Sequence, residues 1–187
     1  LDISQVGLCA VTVGPGSFTG LRVGIATMQG LAFSRKLPLI GISALDALVT
    51  VGAPDDGGFV VTWINAWRGE VYGALYKDGQ EVFPPTVGSP ETFLEALREK
   101  FKNGFSNVFF VGDGVLGCES LIRNRLGEDA HIANPVSPPL AGVVGKLAFG
   151  MFTEGLVSPP DSIRPLYVRR PDAEVSQERR KKPRKKL

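Results

Sequence analysis

Few side chains in this sequence of 187 residues have the types and spacing that catalysis requires. His131 is the single histidine, and without a second ligand of that type near it a metal-hydrolase site is not predicted. Ser17 as a nucleophile would need a general base within reach, so a role as cap of the helix that follows is favoured. Asp113, between two glycines, is the best remaining acid, and we favour a role for it as a turn former that caps the next helix. The sequence therefore predicts no catalytic residue and no metal site.

A glycine-rich turn at residues 14–16 separates an apolar, strand-like run at 6–13 from a long helix at 17–34. Such a turn can hold a phosphate at the N-terminus of the helix. No Gly-Lys-Ser/Thr follows it, however, and the spacing of Gly14, Gly16 and Gly20 differs from the G-x-G-x-x-G fingerprint. The pattern therefore favours a plain turn from strand to helix, with Ser17 or Thr19 as the cap.

The helix at 17–34 is apolar on more than one side. One stripe at helical spacing is expected to face a sheet and consists of Phe18, Leu21, Ile25, Met28 and Ala32. The remaining arc is only partly polar and consists of Thr19, Arg22, Val23, Ala26, Gln29 and Phe33. Because a helix with a solvent-facing side would carry more charge there, this arc is predicted to be covered by a partner.

Composition predicts a globular protein with an apolar core, since 43% of the residues are hydrophobic and 21% are charged. No apolar run is long enough to span a membrane and no signal peptide is recognised, which predicts a cytoplasmic location. Cys9 and Cys118 lie in or beside apolar segments and are expected to be buried free thiols. Residues 178–187 hold seven basic residues and one acidic residue. Such a block can bind phosphate backbones, but a disordered, solvated tail is the favoured interpretation.

Periodicity predicts two α/β units. Strands are expected at 6–13 and 37–43 and a helix at 44–51, before a Gly/Pro/Asp-rich linker at 52–58. Beyond the linker, three strands at 59–66, 70–77 and 81–87 form a meander, with a tight turn at Asp78-Gly79. A helix from Ser89 to Gly104, a strand at 107–111, a helix ending near Gly127, a helix at 137–155 and a strand at 163–168 follow. The predicted divisions are thus 1–52, 58–170 and a tail at 175–187.

Five segments resemble one protein family. The segment Gly14-Pro-Gly-Ser-Phe-Thr-Gly-Leu-Arg22 is long and specific, and residues 38–45, 68–72, 112–114 and 165–174 agree with it. From these motifs the chain is identified as similar to the TsaB (YeaZ) family. The resemblance implies the actin-like ATPase (ASKHA) architecture of two RNase H-like halves. It also implies that the first half is truncated here, without the three strands and the helix that open the family fold.

The resemblance further implies a non-catalytic subunit of the complex that forms threonylcarbamoyladenosine beside the tRNA anticodon. Its expected partners are a TsaD-like catalytic subunit, bound through Thr19, Arg22, Val23, Ala26, Gln29 and Phe33, and a TsaE-like ATPase. Transfer RNA would be reached through the complex, a homodimer is a further option, and no membrane is involved. No cofactor of its own is expected, whereas ATP or ADP is compatible with the partner complex.

The alternative is a stand-alone ATPase of the same architecture, which needs phosphate turns in both halves and acids for Mg²⁺. The segment 65–69 stands where a second phosphate loop would lie in the family. This chain has Asn65 and Trp67 where the family usually has an acidic residue and an arginine, and an amide holds a cation poorly. Independent ATPase activity is therefore disfavoured, and ATP turnover without partners would discriminate the two functions.

Overall fold

A computed structural model describes residues 2–54, 57–101 and 106–169 of the chain. The predicted tail at 175–187 and the predicted helix end at Gly104 lie outside these described residues. In the described ranges none of the helices combines the length and the apolar character needed to cross a bilayer.

The first sheet has two parallel strands, β1 (Cys9–Gly14) and β2 (Leu39–Ser43), joined by the long helix α1 (Phe18–Arg35). The side chain of Ser17 caps α1 by accepting a hydrogen bond from the Gly20 amide at 3.3 Å, as one of the two predicted caps. Helix α2 (Ala44–Gly52) follows β2 directly, and the Ser43 hydroxyl caps it through the amide of Asp46. The predicted strand–turn–helix–strand–helix order is confirmed.

The second sheet has five strands in the order β5-β4-β3-β6-β7. The antiparallel meander consists of β3 (Phe59–Trp67), β4 (Glu70–Lys77) and β5 (Gln80–Gly88). After α3 (Pro90–Lys100), strand β6 (Val108–Val111) pairs parallel to β3, and after α4 (Glu119–Leu126) strand β7 (Ala130–Ile132) pairs parallel to β6. The meander, both helices and β6 were predicted, whereas β7 was not.

The last helix, α5 (Ala141–Thr153), returns to the first sheet. It packs with α2 on one face of that sheet, in a buried cluster of Ile40, Ile42, Ala47, Val144 and Ala148. Helix α1 covers the opposite face, where Ile25 and Ala32 pack against β1 and β2. The first sheet is therefore enclosed between helices that are far apart in sequence.

The segment after α5 is not the strand predicted at 163–168, and that prediction is wrong. Its described residues, 154–169, contain a short 3₁₀ turn at Pro160–Ser162 and an isolated antiparallel bridge between Ser158 and Leu39. It is tied to the first half instead, because the Leu166 amide donates to the carbonyl of Val13 at 2.7 Å. Pro165, in the middle of the predicted strand, lacks the N–H group that a paired strand needs, which explains the irregular backbone.

Candidate functional site

The outward face of α1 is an exposed and uncharged seam. We use the name α1 seam for Thr19, Val23, Ala26, Gly30 and Phe33, which recur at spacings of four and three residues and are all exposed. Val23 keeps 61% and Phe33 keeps 81% of its surface in contact with solvent. Spacings of four and three place side chains along one line of a helix, and the small residues in the middle allow another helix to approach closely.

Two of the six predicted interface residues are held by the chain itself. Arg22 Nε donates to the hydroxyl of Tyr167 at 2.7 Å, and its guanidinium lies 4.0 Å from the centre of the Phe18 ring. The Gln29 side-chain amide donates to the carbonyl oxygens of Pro160 and Ile163 at 2.8 and 3.0 Å. The other four, Thr19, Val23, Ala26 and Phe33, are exposed and belong to the α1 seam.

The stripe predicted to face the sheet is correct for most of its length. Ile25 and Ala32 are buried, and Met28 is partly buried against them. Phe18 is the exception, because 42% of its surface is exposed and its ring stacks on Tyr167 with a centroid separation of 5.4 Å. The prediction for Phe18 is wrong because its ring packs on Tyr167, in the segment after α5, and not on the first sheet.

Asp113 organises the turn between β3 and β4. Its Oδ1 accepts a hydrogen bond from the backbone N–H of Asn65 at 3.0 Å. The side-chain Oδ1 of Asn65 in turn accepts a hydrogen bond from the backbone N–H of Trp67 at 2.8 Å. Trp67 and Arg68 both have left-handed backbone conformations, with φ values of 61° and 58°. Asp113 forms a turn, as predicted, because it opens the 3₁₀ turn Asp113–Val115. The prediction that it also caps the next helix is wrong, since the N-cap of α4 is Cys118, without a side-chain hydrogen bond.

The glycines beside Asp113 explain how it reaches this position. Gly112 has φ 114° and ψ 160°, a conformation that L side chains rarely adopt. A Cβ atom added there would lie 2.0 Å from the carbonyl oxygen of Trp63. At Gly114 an added Cβ would lie 3.0 Å from backbone atoms of Trp63 and Ile64. Only glycine allows residues 112–114 to press against β3 at this distance.

A cleft of about 580 Å³ lies between the two halves, where the alternative ATPase function would require a nucleotide. Its walls come from residues 10–12 of β1, from the starts of α2 and α5, and from Ile64 and Asp113. Among the described residues that line this cleft, Asp113 is the one that carries a charge. Its carboxylate already accepts the Asn65 amide.

The other residues considered for catalysis are not brought together. Ser17 caps α1, whereas His131 lies on β7 at the far edge of the second sheet, stacked on Phe109 with ring centres 4.9 Å apart. Glu70 forms an ion pair with Arg169, whose guanidinium lies 5.7 Å from the centre of the Tyr72 ring. Within residues 2–54, 57–101 and 106–169, no group of three His, Cys, Asp or Glu could hold a metal ion.

Both cysteines have raised thiol pKa values. Burial raises the pKa of Cys9, which is 4% exposed, as predicted for a core thiol. For Cys118, burial is the larger cause, and the nearby carboxylates of Glu119 and Glu91 raise the pKa further. Cys118 is half-buried rather than fully buried. Neither environment promotes the thiolate that a nucleophilic cysteine needs.

Comparison with known proteins identifies the family. The family model described as "TsaD: tRNA N6-adenosine threonylcarbamoyltransferase" matches residues 1–143. The tRNA threonylcarbamoyladenosine biosynthesis protein TsaB of Bacillus subtilis is 33% identical over 172 residues, which cover 87% of this chain and 70% of that protein. The Escherichia coli protein of the same name is 32% identical over 175 residues, covering 90% of this chain and 73% of that protein. This chain belongs to the TsaB/YeaZ family.

Solved structures of the same family share the fold. YeaZ from Pseudomonas aeruginosa superimposes with a TM-score of 0.66 at 24% identity, covering 89% of this chain and 76% of that chain. A second structure from that organism, described as an uncharacterized protein with similarity to peptidase YEAZ, also has a TM-score of 0.66, at 25% identity. The family model carries a TsaD name and the similar sequences carry TsaB names. We assign TsaB because identity extends over most of the chain, while the TsaD-type match reflects the ASKHA fold that both share.

Proposed function

We propose that this TsaB-family protein takes part in threonylcarbamoyladenosine biosynthesis as a subunit that binds a TsaD-like catalytic subunit through the α1 seam. The names of the Bacillus subtilis and Escherichia coli relatives support the pathway. The single observation that carries the mode of action is the exposure of an uncharged helix face, with Phe33 81% exposed. Large exposed apolar side chains aligned on one face are typical of an interaction surface.

The seam suits a partner helix better than an irregular loop. Ala26 and Gly30 lie between Val23 and Phe33, so a second helix can pack at an axial distance of about 8–10 Å while the larger side chains contact its flanks. Burying Val23 and Phe33 would each contribute about 1.5–3 kcal/mol. Arg22 and Gln29, which hold the C-terminal segment, would support the seam from beside it.

The remaining parts of the proposal concern the assembly. A TsaE-like ATPase would join the same complex, and tRNA would be bound through that complex. A homodimer formed through the α1 seam would compete with the heterodimer of this protein and the TsaD-like subunit. The protein would use no catalytic cofactor of its own, and ATP or ADP would act in the assembled complex. We propose that the protein would carry out this role in tRNA modification in the cytoplasm.

The experiment that tests this function compares the protein alone with the protein plus its TsaD-like and TsaE-like subunits. We expect no ATP turnover and no transfer to tRNA by the protein alone, and transfer when the subunits are combined. ATP turnover by the isolated protein that Asp113→Ala abolishes would contradict the proposal and favour the stand-alone ATPase. Transfer by the other subunits at an undiminished rate without this protein would also contradict it.

A further inference from the structure

The segment that follows α5 crosses from the first half to the second. We use the name strap for its residues 158–169. The start of the strap lies on the first sheet, where Ser158 forms its isolated bridge with β2 and Ile163 packs against the cluster under α1. The end of the strap lies on the second half, where the guanidinium of Arg169 donates to the carbonyl of Ala66 at 3.1 Å. The strap is therefore attached to both halves.

Two side chains of α1 hold the middle of the strap. The Gln29 side-chain amide donates to two backbone carbonyls of the strap, and Arg22 Nε donates to the hydroxyl of Tyr167. Positions 22 and 29 are seven residues apart and lie on one line of the helix. At 3.6 residues per turn this line runs between the buried side of α1 and the α1 seam. A partner helix on the seam would therefore lie directly beside the strap.

The end of β1 leaves room for the strap backbone. The N–H of Leu166 donates to the carbonyl of Val13 at 2.7 Å. The next residue, Gly14, has φ 118°, and an added Cβ there would lie 3.0 Å both from the Leu166 carbonyl oxygen and from the Leu21 side chain. Glycine at position 14 therefore allows the strap to approach β1 closely, and the docked position of the strap is specific.

The strap is held mainly by polar contacts near the surface. Each residue from 158 to 169 is exposed or only partly buried, and Leu166 and Tyr167 keep 38% and 39% of their surfaces in contact with solvent. Arg169 at its end forms an ion pair with the partly exposed Glu70. Segments with few buried apolar contacts and solvent-exposed hydrogen bonds open locally at a low cost in free energy. The strap can therefore leave its docked position while the cores of both halves stay folded.

Release of the strap changes the surface that a partner meets. In the released state the side-chain donors of Arg22 and Gln29 lose their acceptors in the strap. A partner that covers the neighbouring α1 seam would then bury these donors without hydrogen-bond partners, which is costly. The partner therefore binds the docked state more tightly, and by thermodynamic reciprocity it stabilises that state.

We propose that the strap couples the α1 seam to the β3–β4 turn, so that a partner on the seam favours the docked strap and thereby fixes the turn through Arg169. The inference rests on the function proposed for the seam. It adds that Gln29 and Arg169 are positioning residues for partner binding, although Arg169 makes its contacts on the second half.

The test uses two variants of the whole protein and their combination. Gln29→Met removes both hydrogen bonds to the strap carbonyls and keeps a side chain of similar length. Arg169→Met removes the contacts between the strap and the second half. Arg164→Met is the matched control, because Arg164 is exposed in the same segment and donates to carbonyls of the strap itself, those of Asp161 and Ile163.

Two quantities are measured for each variant. Hydrogen exchange of the Leu166 amide, followed by NMR, reports the released fraction of the strap, because this amide donates to β1 in the docked state. Isothermal titration calorimetry gives the affinity for the TsaD-like subunit of the same organism. A strap with a merely structural role would change the exchange rate and the thermal midpoint but leave this affinity unchanged.

We expect Gln29→Met and Arg169→Met each to speed exchange at Leu166 about 10-fold or more, as for lost hydrogen bonds. The affinity should fall in proportion to the docked fraction, so the double variant should bind the subunit at least about 10-fold more weakly. Arg164→Met should match the parent in both measurements. In the parent, saturation with the subunit should slow exchange at Leu166.

The coupling is overturned if the parent binds the subunit and the double variant binds it equally well. It is also overturned if Arg169→Met loses affinity without faster exchange at Leu166, because Arg169 would then contact the partner directly. If the parent itself does not bind the subunit, the function proposed for the α1 seam fails and the coupling fails with it. The affinity of the parent therefore separates the two failures.

Discussion

Replacing Gly112 by alanine should destabilise the protein far more than the addition of one methyl group suggests. The added Cβ would lie 2.0 Å from the Trp63 carbonyl oxygen, and the backbone at φ 114° and ψ 160° is accessible almost only to glycine. Backbone strain costs about 1–3 kcal/mol, and forcing an atom into a packed site costs about 1–3 kcal/mol more. We therefore expect a loss of about 2–6 kcal/mol, a large part of a typical total of about 5–15 kcal/mol.

The assay is urea unfolding followed by tryptophan fluorescence, with Gly117→Ala as the matched control. Gly117 also has a positive φ, 80°, but an added Cβ there meets no atom within 4 Å. The control should lose only the conformational term, about 1–2 kcal/mol. If Gly112→Ala costs no more than Gly117→Ala, the close approach of residues 112–114 to β3 does not stabilise the fold, and our account of how Asp113 is positioned is wrong.

Three further predictions concern stability. Thr62→Val should raise the free energy of unfolding by about 1 kcal/mol. The reason is that the fully buried Thr62 hydroxyl has no hydrogen-bond partner within the part of the chain that the structure describes. Stability in urea equal to or lower than that of the parent would contradict this. Burial, and after it the hydrogen bond to Asp46 at 2.7 Å, raises the pKa of Tyr76. The stability that this phenol contributes is therefore present at neutral pH. It is lost as the pH rises above about 10, the pKa of the phenol in the unfolded chain. Tyr76→Phe should therefore lower the free energy of unfolding by about 1–3 kcal/mol at pH 7. Above about pH 10 the free energy of unfolding of the variant should fall less steeply with pH than that of the parent. Equal slopes for the two proteins would refute the raised pKa of Tyr76. Ile25→Glu should unfold the first half, because Ile25 is 3% exposed and an unpaired buried carboxylate costs several kcal/mol; a thermal midpoint within a few degrees of the parent's would contradict its placement.

Local signals in the sequence predicted most of the elements. The structure confirms predictions that depend on residues close in sequence: the apolar, β-prone run of β3, the Asp78-Gly79 turn and the helix starts at Ser17, Ser43 and Ser89. The helix predicted at 137–155 instead begins at Ala141, without a side-chain cap. Strand β7 was missed because it has three residues, Ala130–Ile132, too few for a periodic signal. The segment at 163–168 was wrongly predicted as a strand because the prediction followed its apolar residues and ignored Pro165, which cannot donate a backbone hydrogen bond.

The contacts between distant segments could not be read from the sequence. The return of α5 to the first sheet depends on shape complementarity with Ile40 and Ile42, which no local pattern encodes. Likewise, Arg22 and Gln29 were predicted to belong to the partner interface, but they form hydrogen bonds to residues 160–167 of the same chain. The exposure of Val23, Ala26 and Phe33 agrees with the predicted outward arc, because helical spacing alone determines which side chains oppose the buried Ile25 and Ala32.

The affinity of the Ala26→Glu variant for the TsaD-like subunit of the same organism tests the central claim most directly. Ala26 is exposed in the middle of the α1 seam, so a carboxylate there stays solvated in the free protein and obstructs a partner helix. Asn124→Glu adds the same group at an exposed position of α4 and serves as control. We predict that Ala26→Glu abolishes binding in isothermal titration calorimetry while its thermal midpoint and the affinity of Asn124→Glu stay at parental values. Parental affinity for Ala26→Glu would show that the α1 seam is not the partner interface.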